Sequence, residues 1–335
     1  MKKVVLFNTE GFGKEAEENY LRKLGCLDQI ELIRIDSDDP DDLFREAGDA
    51  EGVVIMYSKM TDENLAKLKK CKVLVVHAIG VNNIDLRAAT KYGICIGNVP
   101  DYCIEEVAMH TIALFLCCAR RVAELDRRVR DGVWDVYAAG QLHRAAGKTY
   151  GLVSFGNIAR RTAEMLKPFG MKLITYDPFV ADDVFARYGV ERAPSLEALF
   201  ASSDYISLHS PLTDSTRRMI NRELLAAVKP GAIFINTGRG GLVDEAALKE
   251  AIEDGRISAA GLDVIENEEE AKSALIGMER VTITPHTAFY SEESCVEERE
   301  KAILQVAEVL IESKLPRYLV NKDVDGVARF QKSIQ

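Results

Sequence analysis

Arg239, Glu268 and His286 are the residue types that carbonyl reduction needs. An arginine fork binds a carboxylate through two parallel hydrogen bonds and polarises a carbonyl beside it. A histidine can hand a proton to the carbonyl oxygen as hydride reaches the carbon, and a carboxylate against the ring keeps it charged and oriented. Together they form a kit for reducing a 2-oxo acid. The three lie in the stretches INTGRGGLVDE, GLDVIENEEE and TPHTAFYS, each following a short apolar run that reads as a strand. Loops at the carboxyl ends of parallel strands are where open α/β sheets bind ligands. Singly, each has a plainer reading: a solvated loop arginine, an acidic surface run, a turn histidine.

The stretch Lys148 to Asp177, KTYGLVSFGNIARRTAEMLKPFGMKLITYD, has to give these residues a cofactor to work with. Its order is a strand over 150–155, a tight turn, a helix over 157–169 with apolar Ile158, Ala159, Ala163, Leu166 and Phe169, a second strand over 171–176, and an acid. A pyrophosphate sits best at the helix start, where the first N–H groups lack partners and the helix dipole is positive. Gly156 lets it approach the backbone. Asp177, 21 positions later, can accept both ribose hydroxyls and would repel a 2′-phosphate, which favours NAD over NADP. The G-x-G-x-x-G pattern has Ser154 and Ala159 at its first and third places. Ala159 suits close helix–strand packing, whereas a side chain at Ser154 must strain the turn or make its own hydrogen bond.

The 335 residues suffice for two domains, and 47% apolar with 29% charged residues is ordinary for a soluble globular chain. A net charge of −10 argues against nucleic acid as the main partner and suits a cytoplasmic protein. No apolar run reaches the roughly 18 residues that cross a bilayer, so no membrane association is expected. The start MKKVVLFNTEGFG reads as a first strand and not a signal peptide. Seven cysteines without a C-x-x-C pair read as buried hydrophobes in a reducing compartment, and no His/Cys grouping has metal spacing, so no metal is expected.

In chain order, residues 1–99 give strands at 4–7, 30–35, 52–56, 73–77 and 94–96 with a polar helix over 14–24, the pattern of a parallel, doubly wound sheet. A long helix over 104–131 presents Val107, Ala108, Thr111, Ala113, Leu114, Cys117, Cys118 and Val122 on one broad face. A second doubly wound unit continues through 205–208, 232–236, 259–262 and 281–284. A final helix over 293–312 has a seam of Ile303, Val306, Val309 and Leu310 that can return to the first domain, and the tail after Asn321 reads as loose.

These motifs together resemble the D-isomer-specific 2-hydroxyacid dehydrogenase family, over nearly the whole chain from Val53 to Asp323. Tyr205-Ile-Ser-Leu-His-Ser-Pro-Leu-Thr matches the family's second signature and Ile235-Asn-Thr-Gly-Arg-Gly-Gly-Leu-Val-Asp its third. The resemblance implies an α/β chain of two doubly wound parallel-sheet domains. One is a flavodoxin-like substrate domain from 1–100 and 290–335, and the other is a Rossmann NAD-binding domain over 101–289. It implies Arg239 as the substrate arginine, Glu268 as the acid five residues after Asp263, and His286 as proton donor. It implies NAD contacts at Gly156, Asn157, Ile158, Asp177, Ser210, Pro211, Thr216, Thr237, Gly238 and Asp263, with Asp263 on the nicotinamide carboxamide. Substrate contacts follow at Gly80, Val81 and Tyr102, and a homodimer through the NAD-binding domain. His77, His110, His143 and His209 are left structural. Tyr57, Lys59, Met60, Val81, Tyr102, Phe289 and Tyr290 are candidates for a mixed substrate pocket. PHTAFYS resembles the D-lactate dehydrogenases, while FYSEESCVEERE and LVNKD resemble the C-terminal-binding proteins, leaving an NAD-sensing protein that recruits partners as the alternative to an NAD-dependent oxidoreductase.

Overall fold

The computed structural model describes residues 1–9, 13–37 and 39–332. The chain divides into two compact units, Met1–Tyr102 with Ser291–Gln335, and Cys103–Tyr290.

The first unit holds β1 (Lys2–Phe7), β2 (Ile30–Ile35), β3 (Gly52–Ile55), β4 (Val73–Val76) and β5 (Cys95–Gly97), all parallel in the order β2-β1-β3-β4-β5. This is the flavodoxin-like order. β3 and β4 are buried at every position, as is Val4–Phe7 of β1, because helices cover both faces of a parallel sheet and leave no polar side. The returning helix Glu292–Leu310 opens on a capping box between Ser291 and Ser294. It packs on β3, β4 and the helix Glu15–Lys23, where Arg299 donates to both carboxylate oxygens of buried Glu17.

Through residue 332 the tail is packed rather than loose. Asn321 Oδ1 accepts the Ile96 N–H at 2.8 Å, its Nδ2 donates to the Ile94 carbonyl, and Val324 and Ala328 are fully buried. Six of the seven cysteines are buried, and burial pushes the thiols of Cys71, Cys95 and Cys118 up to about 12.

The second unit holds β6 (Thr149–Val153), β7 (Lys172–Tyr176), β8 (Glu191–Arg192), β9 (Tyr205–Leu208), β10 (Ala232–Asn236), β11 (Ile257–Leu262) and β12 (Val281–Ile283). The order β12-β11-β10-β9-β6-β7-β8, parallel throughout, is the Rossmann arrangement with its reversal between β6 and β9. Both domain folds expected from the sequence are therefore present.

The long helix differs from expectation. It runs Ile104–Ala119, breaks at Arg121 in the left-handed region with φ 54°, and restarts as Val122–Arg130. Its buried face is Val107, Ala108, Thr111, Leu114, Phe115 and Cys118, while Ala113 and Val122 are exposed. Phe115 anchors it on the sheet, edge-on to Tyr150 at 5.3 Å and to Tyr205 at 4.7 Å between ring centroids. Among the described residues no helix is long and apolar enough to cross a membrane.

Candidate active site

In the second unit, the candidate residues stand at the carboxyl ends of successive parallel strands. After β6 the helix Asn157–Leu166 starts at Gly156 with no side chain capping it. Its first N–H groups, those of Asn157 and Ile158 among them, thus lack an internal acceptor. A Cβ added to Gly156 would meet nothing within 4 Å, so the helix start faces open space that a diphosphate fits. Ala159, at the third fingerprint place, is fully buried.

Asp177, after β7, is buried. Its Oδ2 accepts the Phe155 N–H at 2.9 Å and its Oδ1 accepts the Phe179 N–H at 2.8 Å. Each oxygen keeps a lone pair for a ribose hydroxyl. Ser154 combines both consequences foreseen for it: a positive φ of 71°, and a hydroxyl 2.6 Å from that of Ser210 after β9.

The loops after β9 and β10 hold themselves in shape. Thr216 Oγ1 donates to the Pro211 carbonyl at 2.7 Å and accepts the Thr213 N–H at 2.8 Å. Thr237 Oγ1 lies 2.8 Å from Thr111 Oγ1, which itself donates to the Val107 carbonyl, so the Thr237 hydroxyl hydrogen is spent on the Ile104–Ala119 helix. Buried Asn236 clamps the turn at both ends, accepting the Gly238 N–H and donating to the Arg239 carbonyl, each at 3.0 Å. The turn approaches the loop after β11 so closely that a Cβ on Gly240 would lie 1.9 Å from the Ile265 carbonyl oxygen. Arg239, half-buried, is fixed between these constraints, with Nη1 on the Gly238 carbonyl at 2.7 Å.

Asp263 organises the loop that carries His286. Its Oδ1 accepts from Thr284 Oγ1 at 2.6 Å and from the Thr287 N–H at 3.0 Å; its Oδ2 accepts the Ala288 N–H at 2.9 Å, and its carbonyl accepts the His286 N–H at 2.8 Å. The carboxamide contact expected of Asp263 is thus left at most the spare lone pair on Oδ2 of a 1% exposed residue.

His286 Nδ1 stands 2.7 Å from Glu268 Oε2, both side chains more than a third exposed. The neighbouring acids are engaged elsewhere, Glu266 with Arg218 at 2.7 Å and Glu270 with Lys272 at 2.8 Å. Glu245 fixes the acidic loop from beneath by accepting the Glu266 N–H and the Ser273 hydroxyl.

Sequence reasoning left His110 without chemistry, yet its Nε2 lies 2.9 Å from Thr284 Oγ1 and 3.5 Å from Asp263 Oδ1. The available signal was the pair His110–Thr111, polar in an otherwise apolar helical run. His77 and His209 are pushed down to about 3 by burial, so both rings are neutral near pH 7 and bring no extra proton to a reaction.

In the first unit Gly80 and Val81 lie in the loop after β4. That loop is held by Asn98 Nδ2 on the Ile79 carbonyl at 2.6 Å and by Asn83 Nδ2 on the carbonyls of Met56 and Ser58, each at 3.0 Å. Tyr102 ends the first of the unit's two segments and is buried. Met60 cannot line a pocket as expected: it is fully buried in the core, its backbone bridging to Ile84.

The family model for the NAD binding domain of D-isomer specific 2-hydroxyacid dehydrogenases matches residues 112–288, just over half of the chain. The chain belongs to this family, and its cofactor is NAD. It is 38% identical over 284 residues to a glyoxylate reductase of Korarchaeum cryptofilum, covering 82% of this chain and 84% of that protein. A D-3-phosphoglycerate dehydrogenase of Mycobacterium tuberculosis is 36% identical over 284 residues, covering 84% of this chain but 52% of that protein. The chain thus spans about half the length of these curated phosphoglycerate dehydrogenases. A D-lactate dehydrogenase from Aquifex aeolicus, solved with NAD and lactic acid, superposes with a TM-score of 0.78 at 30% identity, covering 92% of this chain and 96% of that one.

Proposed function

We propose that this chain moves hydride between NAD(H) and C2 of a small 2-oxo or D-2-hydroxy acid. The observation that carries this is the 2.7 Å contact of His286 Nδ1 with Glu268 Oε2, on the sheet edge where the glycine turn opens. A carboxylate only accepts, so the hydrogen of that contact belongs to Nδ1, and Nε2 is the ring atom left to meet the substrate. NADH supplies the hydride. The charged ring donates from Nε2 to the oxo oxygen during reduction and recovers the proton during oxidation. Arg239 binds the substrate carboxylate and steadies charge growing on the oxo group. Asp263 acts through the loop it orders. Gly156, Asn157, Ile158, Asp177, Ser210, Pro211, Thr216, Thr237 and Gly238 contact the cofactor in this reading, and Gly80, Val81 and Tyr102 contact the substrate. The glyoxylate and lactic acid in the relatives' names support an acid of two or three carbons.

A steady-state screen of glyoxylate, pyruvate, hydroxypyruvate and longer aliphatic 2-oxo acids with NADH tests the activity. At least one should reach a kcat/KM of about 10⁴ M⁻¹s⁻¹ or more. Tight NADH binding without turnover of any of them is the result that the partner-recruiting alternative requires.

Cofactor choice follows from Asp177, whose carboxylate sits where a 2′-phosphate would bring like charge. NADH should exceed NADPH in kcat/KM by about a hundredfold, equivalent to about 2.7 kcal/mol, and Asp177→Ala should narrow the gap. Equal values for the two cofactors in the parent protein would remove this assignment.

The same reading makes the protein a cytoplasmic homodimer joined through the NAD-binding domain. Its support is a run of exposed apolar residues on the Val122–Arg130 helix and the loop after it, with Trp134 90% exposed and Val136 and Tyr137 each 79%. Sedimentation at micromolar concentration should give twice the chain mass. A monomer there would refute the dimer.

A further inference from the structure

Ser154 breaks the glycine pattern, and the reaction described above makes no use of it. We propose that Ser154 is a cofactor-positioning residue: its hydroxyl, held by Ser210, spans the crevice between β6 and β9 and donates a hydrogen bond to the diphosphate of NAD. This rests on the NAD reading of the site.

The topology fixes where the pair lies. β6 and β9 are neighbours at the point where the strand order reverses, and in such sheets the ligand crevice opens there. Ser154 directly follows β6, and Ser210 follows β9 by two residues. Their 2.6 Å contact therefore bridges the mouth of that crevice.

The backbone at Ser154 has φ 71°, a region glycine enters freely and other residues avoid. A serine persists in it when its surroundings over-determine the geometry. Here the Ser154 N–H donates to the Tyr176 carbonyl at 2.9 Å and the Phe155 N–H to Asp177 Oδ2 at 2.9 Å. The turn is tied to the β7 side through the backbone and to the β9 side through this hydroxyl.

Two hydroxyls bring two hydrogens, one lies in the contact between them, and one remains. Either hydroxyl can donate in that contact; in the proposed arrangement Ser210, 5% exposed, takes the donor role, which leaves the second hydrogen on the less buried Ser154 for a ligand. A hydroxyl that accepts a hydrogen bond becomes a better donor. Two residues on, Gly156 opens a helix with no side-chain cap and with open space where a Cβ would be. A polarised O–H beside uncapped backbone N–H groups suits an anionic oxygen, and the diphosphate is the part of the dinucleotide that helix starts bind.

The test is direct binding, read by NADH fluorescence, beside the thermal midpoint of the ligand-free protein. Ser154→Gly removes the hydroxyl and suits the turn. It should weaken NADH and ADP about tenfold each, leave adenosine unchanged, and keep the midpoint the same or higher. Ser210→Ala should weaken both diphosphate ligands comparably, Ser210→Thr should restore them, and the double variant should be no worse than either single one. Ser154→Gly binding NADH within twofold of a parent that itself binds would overturn this inference alone. A parent that binds no NADH would overturn the cofactor reading, and this inference with it.

Discussion

An Arg239→Ala variant should lose about a thousandfold or more in kcat/KM for 2-oxo acid reduction, through both a higher KM and a lower kcat. The guanidinium is asked to hold a carboxylate in the ground state by charge-assisted hydrogen bonds and to steady charge that grows on the oxo oxygen. Losing the first raises KM, and losing the second lowers kcat. The scaffold should survive the change. The turn is shaped by Asn236 on its backbone and by Gly240 against Ile265, and neither depends on the arginine side chain. Arg239→Lys should recover only part of the loss, because an ammonium cannot reproduce the planar fork. Steady-state kinetics beside an NADH titration check this. An Arg239→Ala protein with parental KM and kcat would remove the substrate role of the residue.

His286→Ala should fail differently, with kcat down by about a hundredfold or more and KM for the acid changed little. In the proposed reaction the ring carries the proton transfer, whereas the loop around it is ordered by Asp263 through backbone N–H groups and the Thr284 hydroxyl. The change therefore removes the acid without dismantling the loop. Glu268→Gln keeps an acceptor for Nδ1–H but removes the charge, and should cost kcat less than His286→Ala does. Glu266→Gln and Glu270→Gln should be close to silent, since those carboxylates sit on Arg218 and Lys272. A His286→Ala enzyme with near-parental kcat would mean that another group delivers the proton.

Much of the scaffold was legible because its signals are local. β9 and β10 fall on the runs read at 205–208 and 232–236 and are buried at every position, as strands covered on both faces are, while the edge strand β2 falls on the run read at 30–35 with Glu31 exposed between buried Ile30 and Leu32. The glycine turn and Asp177 could be read from one stretch because strand, helix and acid are contiguous there. What stayed hidden was long-range or backbone-driven. His110 meets Thr284 across 174 positions, and although His110–Thr111 stands out as polar in an apolar run, nothing there names Thr284 as the partner. The helix break at Arg121 is a left-handed residue without the glycine that usually marks one. Met60 reads as one polar-flanked residue in a loop, and only its bridge to Ile84 turns it into the core. Asp263 is visible as an acid after a strand, but its four acceptor contacts come from a loop more than twenty residues on.

The most direct measurement follows the hydride itself. The protein is supplied with NADH deuterated at the transferable position of the nicotinamide C4 and with the 2-oxo acid it reduces best. The product is then analysed for label and for handedness. Deuterium bound to C2 of the D-2-hydroxy acid, with its yield falling in proportion to kcat in His286→Ala, is the expected result. An unlabelled product, or label in the L-isomer, would contradict the reaction assigned to Arg239, Glu268 and His286.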